Sequence, residues 1–370
     1  SNFPVKLAPA LLSFNFLSPQ PPPQTTTMNG RPSSQKIVIA VLADKDKNPS
    51  AAALPLVRTL ESKADILLGN TLAEFTAYPN LSEAEALVWV PPGDAKILPD
   101  LWPLLPKVRW VHSWFAGLEP LHPFIKQFLL NRPDIPVTNA KGAFSRSLAE
   151  YSMAAALHFE KQVPRIMANT KSRHWDKFIM HELHGKSMGF VGFGDIGKAT
   201  AKIAKHAFGM RILALRRSKN KGADDLADEV FSPEIEEEKM EVFRRSDYVV
   251  CSLPGTPDTF NFCGAKEFAA MKPTAVFISI GRGTVVDEDA LIDVLKRGAI
   301  RGAALDVFHV EPLPESSGLW GLDNVLITAH NADWTPDYSE CALHVMEGNL
   351  DRFLAGEKEM LTPIDKAAGY

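Results

Sequence analysis

The stretch Ser187-Met188-Gly189-Phe190-Val191-Gly192-Phe193-Gly194-Asp195-Ile196-Gly197-Lys198 constrains this chain more than any other. It reads as a short apolar strand, a tight glycine turn and the first turn of a helix. Gly192, Gly194 and Gly197 form G-x-G-x-x-G. In such a turn the first glycine lets the chain reverse sharply. The second lets the backbone approach a pyrophosphate, and the third lets the helix pack closely on the strand. Unpaired N–H groups and the positive end of the dipole make the helix start an anion site. The surroundings agree. Lys198 to Ala207 is rich in Ala and Lys, and Arg211-Ile212-Leu213-Ala214-Leu215 supplies the next strand. This context predicts dinucleotide binding; an ordinary glycine-rich turn is the plain alternative.

The chain has 370 residues, which suits two domains better than one core. Its net charge of −4 gives no reason to expect a nucleic acid or an anionic membrane as partner. No apolar run approaches the roughly 20 residues that span a bilayer. Cys251, Cys263 and Cys341 are too few and too scattered for a disulfide framework or a zinc site, so a reducing compartment is expected. Residues 1–35 have tail composition, with Pro21-Pro22-Pro23, Thr25-Thr26-Thr27 and no acid before Asp44. They are read as a tail, a targeting segment or a cloning remnant ahead of Met28. The expected address is the cytoplasm, with organelle targeting by this segment left open.

Apolar runs of strand length alternate with helical stretches over 36–140. They are 36–42, 64–68, 86–90, 108–112 and 137–139, a small α/β unit. Ser113-Trp114-Phe115-Ala116-Gly117-Leu118 follows one strand. Such a glycine loop can turn N–H groups toward a carboxylate, or it can be a plain strand-to-helix turn. Trp114 and Phe115 could line a pocket or fill core. Ser145 or Ser147 is expected to cap a long helix, Leu148 to Lys161. His181-Glu182-Leu183-His184 lacks a third ligand of the right kind nearby, and no metal is expected.

At least six strands, at 187–191, 211–215, 247–254, 275–280, 303–307 and 325–328, give a second, doubly wound parallel sheet. Residues 337–354 read as a closing amphipathic helix that returns to the first unit. Ligands of such sheets lie beyond the carboxyl ends of the strands. Arg282, Asp306 with Glu311, and His330 fall just there. An arginine, a carboxylate and a histidine beside a dinucleotide site suit hydride transfer to a carbonyl. His330 as imidazolium can protonate the developing alkoxide. Glu311 would hold the ring and favour its charged form. Arg282 would grip the carboxylate of a 2-keto acid and polarise its carbonyl.

These residues resemble the signatures of the D-isomer-specific 2-hydroxyacid dehydrogenase family. Three occur in order: Val191 to Gly197; Met271-Lys272-Pro273 through Gly281-Arg282-Gly283 to Asp287; and Ala304 to Phe308 through Glu311-Pro312, then Thr328-Ala329-His330. The similarity spans roughly 36–356. It implies two Rossmann-like doubly wound α/β domains with a cleft between them. The larger, 141–335, binds the dinucleotide; the smaller, flavodoxin-like, comprises 36–140 plus 336–370 and binds substrate. It implies Arg282, Glu311 and His330 as the catalytic set. It places Trp114, Phe115, Ala116 and Gly117, with Arg282 and His330, around the substrate. The cofactor set is Gly192, Gly194, Asp195, Ile196, Gly197, Arg216, Arg217, Ser218, Leu253, Pro254, Ile280 and Asp306. A homodimer through the nucleotide domains is implied as well.

Three positions depart from the family pattern. Ser279 stands where Asn is usual. His309 stands where Glu is common and is read as a surface-loop residue, with a place near the site as the alternative. The third sets the cofactor. NAD-specific members end the second strand in an Asp that binds the ribose 2′-OH; here Arg216-Arg217-Ser218-Lys219 follows the strand. Such a cluster would bind a 2′-phosphate by charge-assisted hydrogen bonds. The expected cofactor is NADP(H), with NAD(H) as the alternative. The expected activity is reduction of a small 2-keto acid, glyoxylate or hydroxypyruvate, to a D-2-hydroxy acid. The rival reading is a dinucleotide-sensing adaptor of the C-terminal-binding-protein type; Arg216 and Arg217 argue against it.

Overall fold

A computed structural model describes residues 36–217 and 226–370; Ser218 and Lys219 lie outside the described residues. Among the described residues, twelve strands form two sheets, each parallel throughout. The first contains β1 (Ile37–Ala43), β2 (Ala64–Gly69), β3 (Ala84–Val90), β4 (Trp110–Ser113) and β5 (Val137–Asn139), in the order β2-β1-β3-β4-β5. The second contains β6 (Ser187–Val191), β7 (Arg211–Leu215), β8 (Glu229–Phe231), β9 (Tyr248–Cys251), β10 (Val276–Ser279), β11 (Gly302–Leu305) and β12 (Val325–Ile327). Its order is β12-β11-β10-β9-β6-β7-β8. Both orders reverse beside their first strand, the arrangement of doubly wound folds. Strands covered on both faces must be apolar throughout, and β6, β9, β10 and β11 are buried at every position.

Helices α1 (Ser50–Val57), α2 (Leu72–Thr76), α3 (Leu98–Leu101) and α4 (His122–Phe124) belong to the first sheet. Then come α5 (Ser145–Glu160) and α6 (Val163–Ser172), followed by α7 (Asp195–Phe208), α8 (Glu236–Arg245), α9 (Ala265–Ala270) and α10 (Glu288–Lys296) of the second. The closing helix α11 (Tyr338–Ala355) packs back on α1. Asp351 of α11 meets Lys63 at 2.5 Å, and the Phe353 ring lies tilted against Trp110 with ring centres 5.4 Å apart. Glu160, at the end of α5, is wholly buried among Lys186, Arg301 and the Tyr248 hydroxyl, which fixes α5 to the second sheet.

One expectation needs correction. Neither Ser145 nor Ser147 caps α5: Phe144 occupies the cap position and makes no side-chain cap bond. The Ser147 hydroxyl instead donates to Ala332 O at 2.5 Å, in the loop that follows β12. The second sheet also has a strand the sequence did not announce, β8, three residues long and only partly buried.

Candidate active site

The glycine turn has the shape its composition predicts. Gly192 has φ +93°, and a Cβ there would lie 3.0 Å from Leu253 Cδ2. A Cβ on Gly197 would lie 2.9 Å from Gly192 O, so the start of α7 closes directly on the turn. A Cβ on Gly194, the N-cap of α7, would meet nothing within 4 Å. That open space faces a helix N-terminus, a fit for a pyrophosphate. Asp195 and Ile196 form the first turn of α7, and Asp195 lies 3.7 Å from Lys141 Nζ. Leu253, Pro254 and Ile280 follow β9 and β10. There a Cβ on Gly281 would lie 2.4 Å from Leu253 O, so the ends of β6, β9 and β10 adjoin. Arg216 and Arg217 stand immediately past β7, and the Arg217 guanidinium lies 5.2 Å from the centre of the Tyr370 ring.

The three residues predicted to carry the chemistry come together. His330 follows β12 in the left-handed region, at φ +49°, and its Nδ1 is 2.8 Å from Glu311 Oε2. The other Glu311 oxygen accepts from Phe308 N–H at 2.9 Å. The Glu311 hydrogen bond, reinforced by that residue's charge, holds the His330 pKa above 6.5 against burial and the Arg282 charge, which lower it. Burial pushes the Glu311 pKa up, but His330, Phe308 N–H and the Arg282 charge outweigh it and hold the carboxyl below its ordinary value. Both residues feel Arg282.

Arg282 follows β10 and reaches across to the first sheet. A Cβ on Gly117 would lie 2.2 Å from Arg282 Nη2, so the guanidinium rests against the Ala116–Gly117 backbone. The N–H groups of Ala116 and Gly117 have no acceptor among the described residues. Asn139 Nδ2 donates to Ala116 O at 2.7 Å and holds this loop. A free guanidinium edge and two free N–H groups at one place can bind a carboxylate. Phe115 is half-buried and meets Tyr338 edge-on at 5.7 Å, whereas Trp114 is fully buried in the core below the loop.

Asp306 does something its position alone did not disclose. It is 1% exposed, and its carboxylate accepts from Thr328 Oγ1 at 2.6 Å and from the N–H groups of Asn331 and Ala332 at 3.1 and 3.2 Å. It thus fixes the loop that presents His330. Glu119, beside Arg282, also escaped the sequence reading; its partner is 163 residues away. His309 is exposed, meets Phe260 edge-on at 5.8 Å and gives its N–H to Glu288. Trp334 is 54% exposed and lies against Tyr338. Ser279 is buried, and its hydroxyl has no hydrogen-bond partner among the described residues.

Residues 153–332 match the family model "D-isomer specific 2-hydroxyacid dehydrogenase, NAD binding domain". A glyoxylate reductase of Thermococcus gammatolerans is 35% identical over 261 residues, 68% of this chain and 75% of that protein. This chain belongs to the D-isomer-specific 2-hydroxyacid dehydrogenases. Among solved structures, the Xanthobacter autotrophicus family member in complex with NADPH and MES is 25% identical. It aligns at a TM-score of 0.75 over 91% of this chain and 100% of its own. The NADPH-dependent glyoxylate/hydroxypyruvate reductase of Sinorhizobium meliloti, in complex with NADP and sulfate, is 25% identical. Its TM-score is 0.71 over 91% of this chain and 100% of its own. As a 2-hydroxyacid dehydrogenase, this protein is an NAD(P)-dependent enzyme and a 2-keto acid reductase. Among the described residues, no helix of the dehydrogenase is long and apolar enough to cross a membrane.

Proposed function

We propose that this dehydrogenase reduces glyoxylate, hydroxypyruvate or a similarly small 2-keto acid to the D-2-hydroxy acid, with NADPH preferred over NADH. The observation that carries the reading is the meeting of Arg282, from one sheet, with the free N–H groups of Ala116 and Gly117, from the other. Arg282 and the two N–H groups bind the substrate carboxylate. A bound nicotinamide supplies the hydride. His330 Nδ1 is held by Glu311, so Nε2 delivers the proton to the carbonyl oxygen as the carbon gains the hydride. Arg282 also steadies the negative charge that grows on that oxygen. The turn at Gly192, Gly194 and Gly197 and the start of α7 hold the pyrophosphate. Arg216 and Arg217 hold the 2′-phosphate, where an acidic residue would repel it.

The same reading divides the chain into a substrate domain, 36–140 with 336–370, and a nucleotide domain, 141–335. The nucleotide domains pair in a homodimer. Exposed apolar side chains between α5 and β6 support that surface: Met167 is 67% exposed, Ile179 79% and Trp175 96%.

The deciding measurement is loss of absorbance at the reduced-nicotinamide band, with NADPH and NADH in parallel. Glyoxylate, hydroxypyruvate and longer 2-keto acids are offered, and the product is resolved by chiral chromatography. Fast turnover with NADPH and a D product is expected. Preference for NADH would overturn the cofactor assignment. Silence on small keto acids with turnover of bulky ones would overturn the substrate assignment.

A further inference from the structure

Arg282 is anchored at more than its own strand end. Its Nε donates to Glu119 Oε1 at 2.7 Å, and Nη1 donates to its neighbour's carbonyl, Gly281 O, at 2.8 Å. A guanidinium has five N–H donors in a rigid plane. Fixing Nε and Nη1 therefore sets the whole plane and leaves Nη2, which rests against Gly117. Glu119 belongs to the other sheet. It opens the short turn after the Ala116–Gly117 loop, and a Cβ on Gly117 would lie 2.7 Å from its Oε2. Anchor and substrate-facing backbone thus sit within three residues of each other on one loop.

We infer that Glu119 is a positioning residue: it aims the Arg282 guanidinium at the substrate carboxylate, and it does so only when the two sheets have closed on each other. The inference rests on the reading of Arg282 as the carboxylate-binding group. The pair joins a side chain beyond β10 to one beyond β4, so opening the cleft must break it. Arg282 is 33% exposed and Glu119 44%, so water competes for an isolated pair here. Stability is therefore a poor reason for the contact, and orientation a good one. A free arginine at the cleft would sweep many rotamers. Tied to Glu119, it is presented in one orientation, and only in the closed molecule. Glu119 also offsets the Arg282 charge, which bears on His330. The charged groups that act on the His330 ring are Glu311, Arg282, Asp306 and Asp333.

The test compares Glu119→Ala and Glu119→Gln with the native enzyme. Cofactor titration and thermal melting serve as controls for the fold. Oxamate, an unreactive monoanion shaped like a small keto acid, is titrated calorimetrically into the NADPH complex. Glu119→Ala is expected to weaken oxamate and raise the KM for glyoxylate by about tenfold or more, the effect of one lost charge-assisted bond. Cofactor affinity should stay within about twofold. Glu119→Gln keeps an acceptor for Nε and should recover most of the oxamate affinity. Both variants leave the Arg282 charge uncompensated, so the alkaline limb of kcat/KM should move to lower pH. Native oxamate affinity, KM and pH limb in Glu119→Ala would overturn the inference. The oxamate titration needs no turnover. If native protein binds oxamate but reduces no keto acid, the substrate reading falls and the role of Glu119 is still decided by affinity. If native protein does not bind oxamate at all, both fall together.

Discussion

His330 Nδ1 lies 2.8 Å from Glu311 Oε2, and neither residue belongs to a helix or a strand. The pair joins the loop beyond β11 to the loop beyond β12. Since the Glu311 hydrogen bond raises the His330 pKa, the ring keeps its proton to higher pH than an ordinary histidine. In the proposed mechanism the charged ring is the proton donor. kcat/KM should therefore be flat at low pH and fall as pH rises through the raised value. Glu311→Gln removes the charge that raises it. The limb should move to lower pH, and kcat should drop by about 10- to 100-fold. A pH–rate profile that Glu311→Gln leaves unmoved would show that the pair does not set the proton donor.

Arg282→Lys keeps the charge and removes the planar fork. Lysine cannot donate to Glu119, Gly281 O and a carboxylate in one plane. KM for glyoxylate should rise by about tenfold to a hundredfold, and cofactor affinity should hold. Initial rates over a range of glyoxylate concentrations separate the two. Unaltered KM would mean that charge alone binds the substrate.

Asp306 is the buried support of the His330 loop. Asp306→Ala leaves the N–H groups of Asn331 and Ala332 without their acceptor and Thr328 Oγ1 with Tyr151 Oη as its remaining partner. The expected loss is about 2–4 kcal/mol of stability, read by urea unfolding, together with a fall in kcat. Asp306→Asn retains one oxygen and should fall between. A native unfolding midpoint in Asp306→Ala would show that the loop holds itself.

Arg216→Ser with Arg217→Ser should act on one cofactor only. KM for NADPH should rise by at least about tenfold, and KM for NADH should stay nearly level. Parallel titrations with the two cofactors give the ratio directly. Equal losses on both would mean that the two arginines hold a part common to NADPH and NADH.

The two sheets were legible because parallel strands must be apolar on both faces. Each run, such as 187–191 or 275–280, stands out from its polar neighbours. β8 did not, since Glu229-Val230-Phe231 is only three residues long and opens on a charged side chain. The glycine turn was legible because the positive φ at Gly192 and the close approach of Gly192 O at Gly197 favour residues without a side chain. The caps were less so. Ser147 carries the expected hydroxyl, but it lies inside α5 and donates to Ala332 O instead. The catalytic candidates were found by their place after strands and by family signatures. Glu119 has neither mark. Its meaning lies in a partner on another sheet, and nothing local in Leu118-Glu119-Pro120 points there.

The chain leaves the first sheet after β5 and comes back to it at α11. The two passages lie side by side, with Arg146 Nη2 3.0 Å from Asp337 Oδ2 and Ser147 bonded to Ala332 O. The outgoing and returning passages are thus tied to each other, so the first sheet is joined to the second at one place rather than at two separate ones.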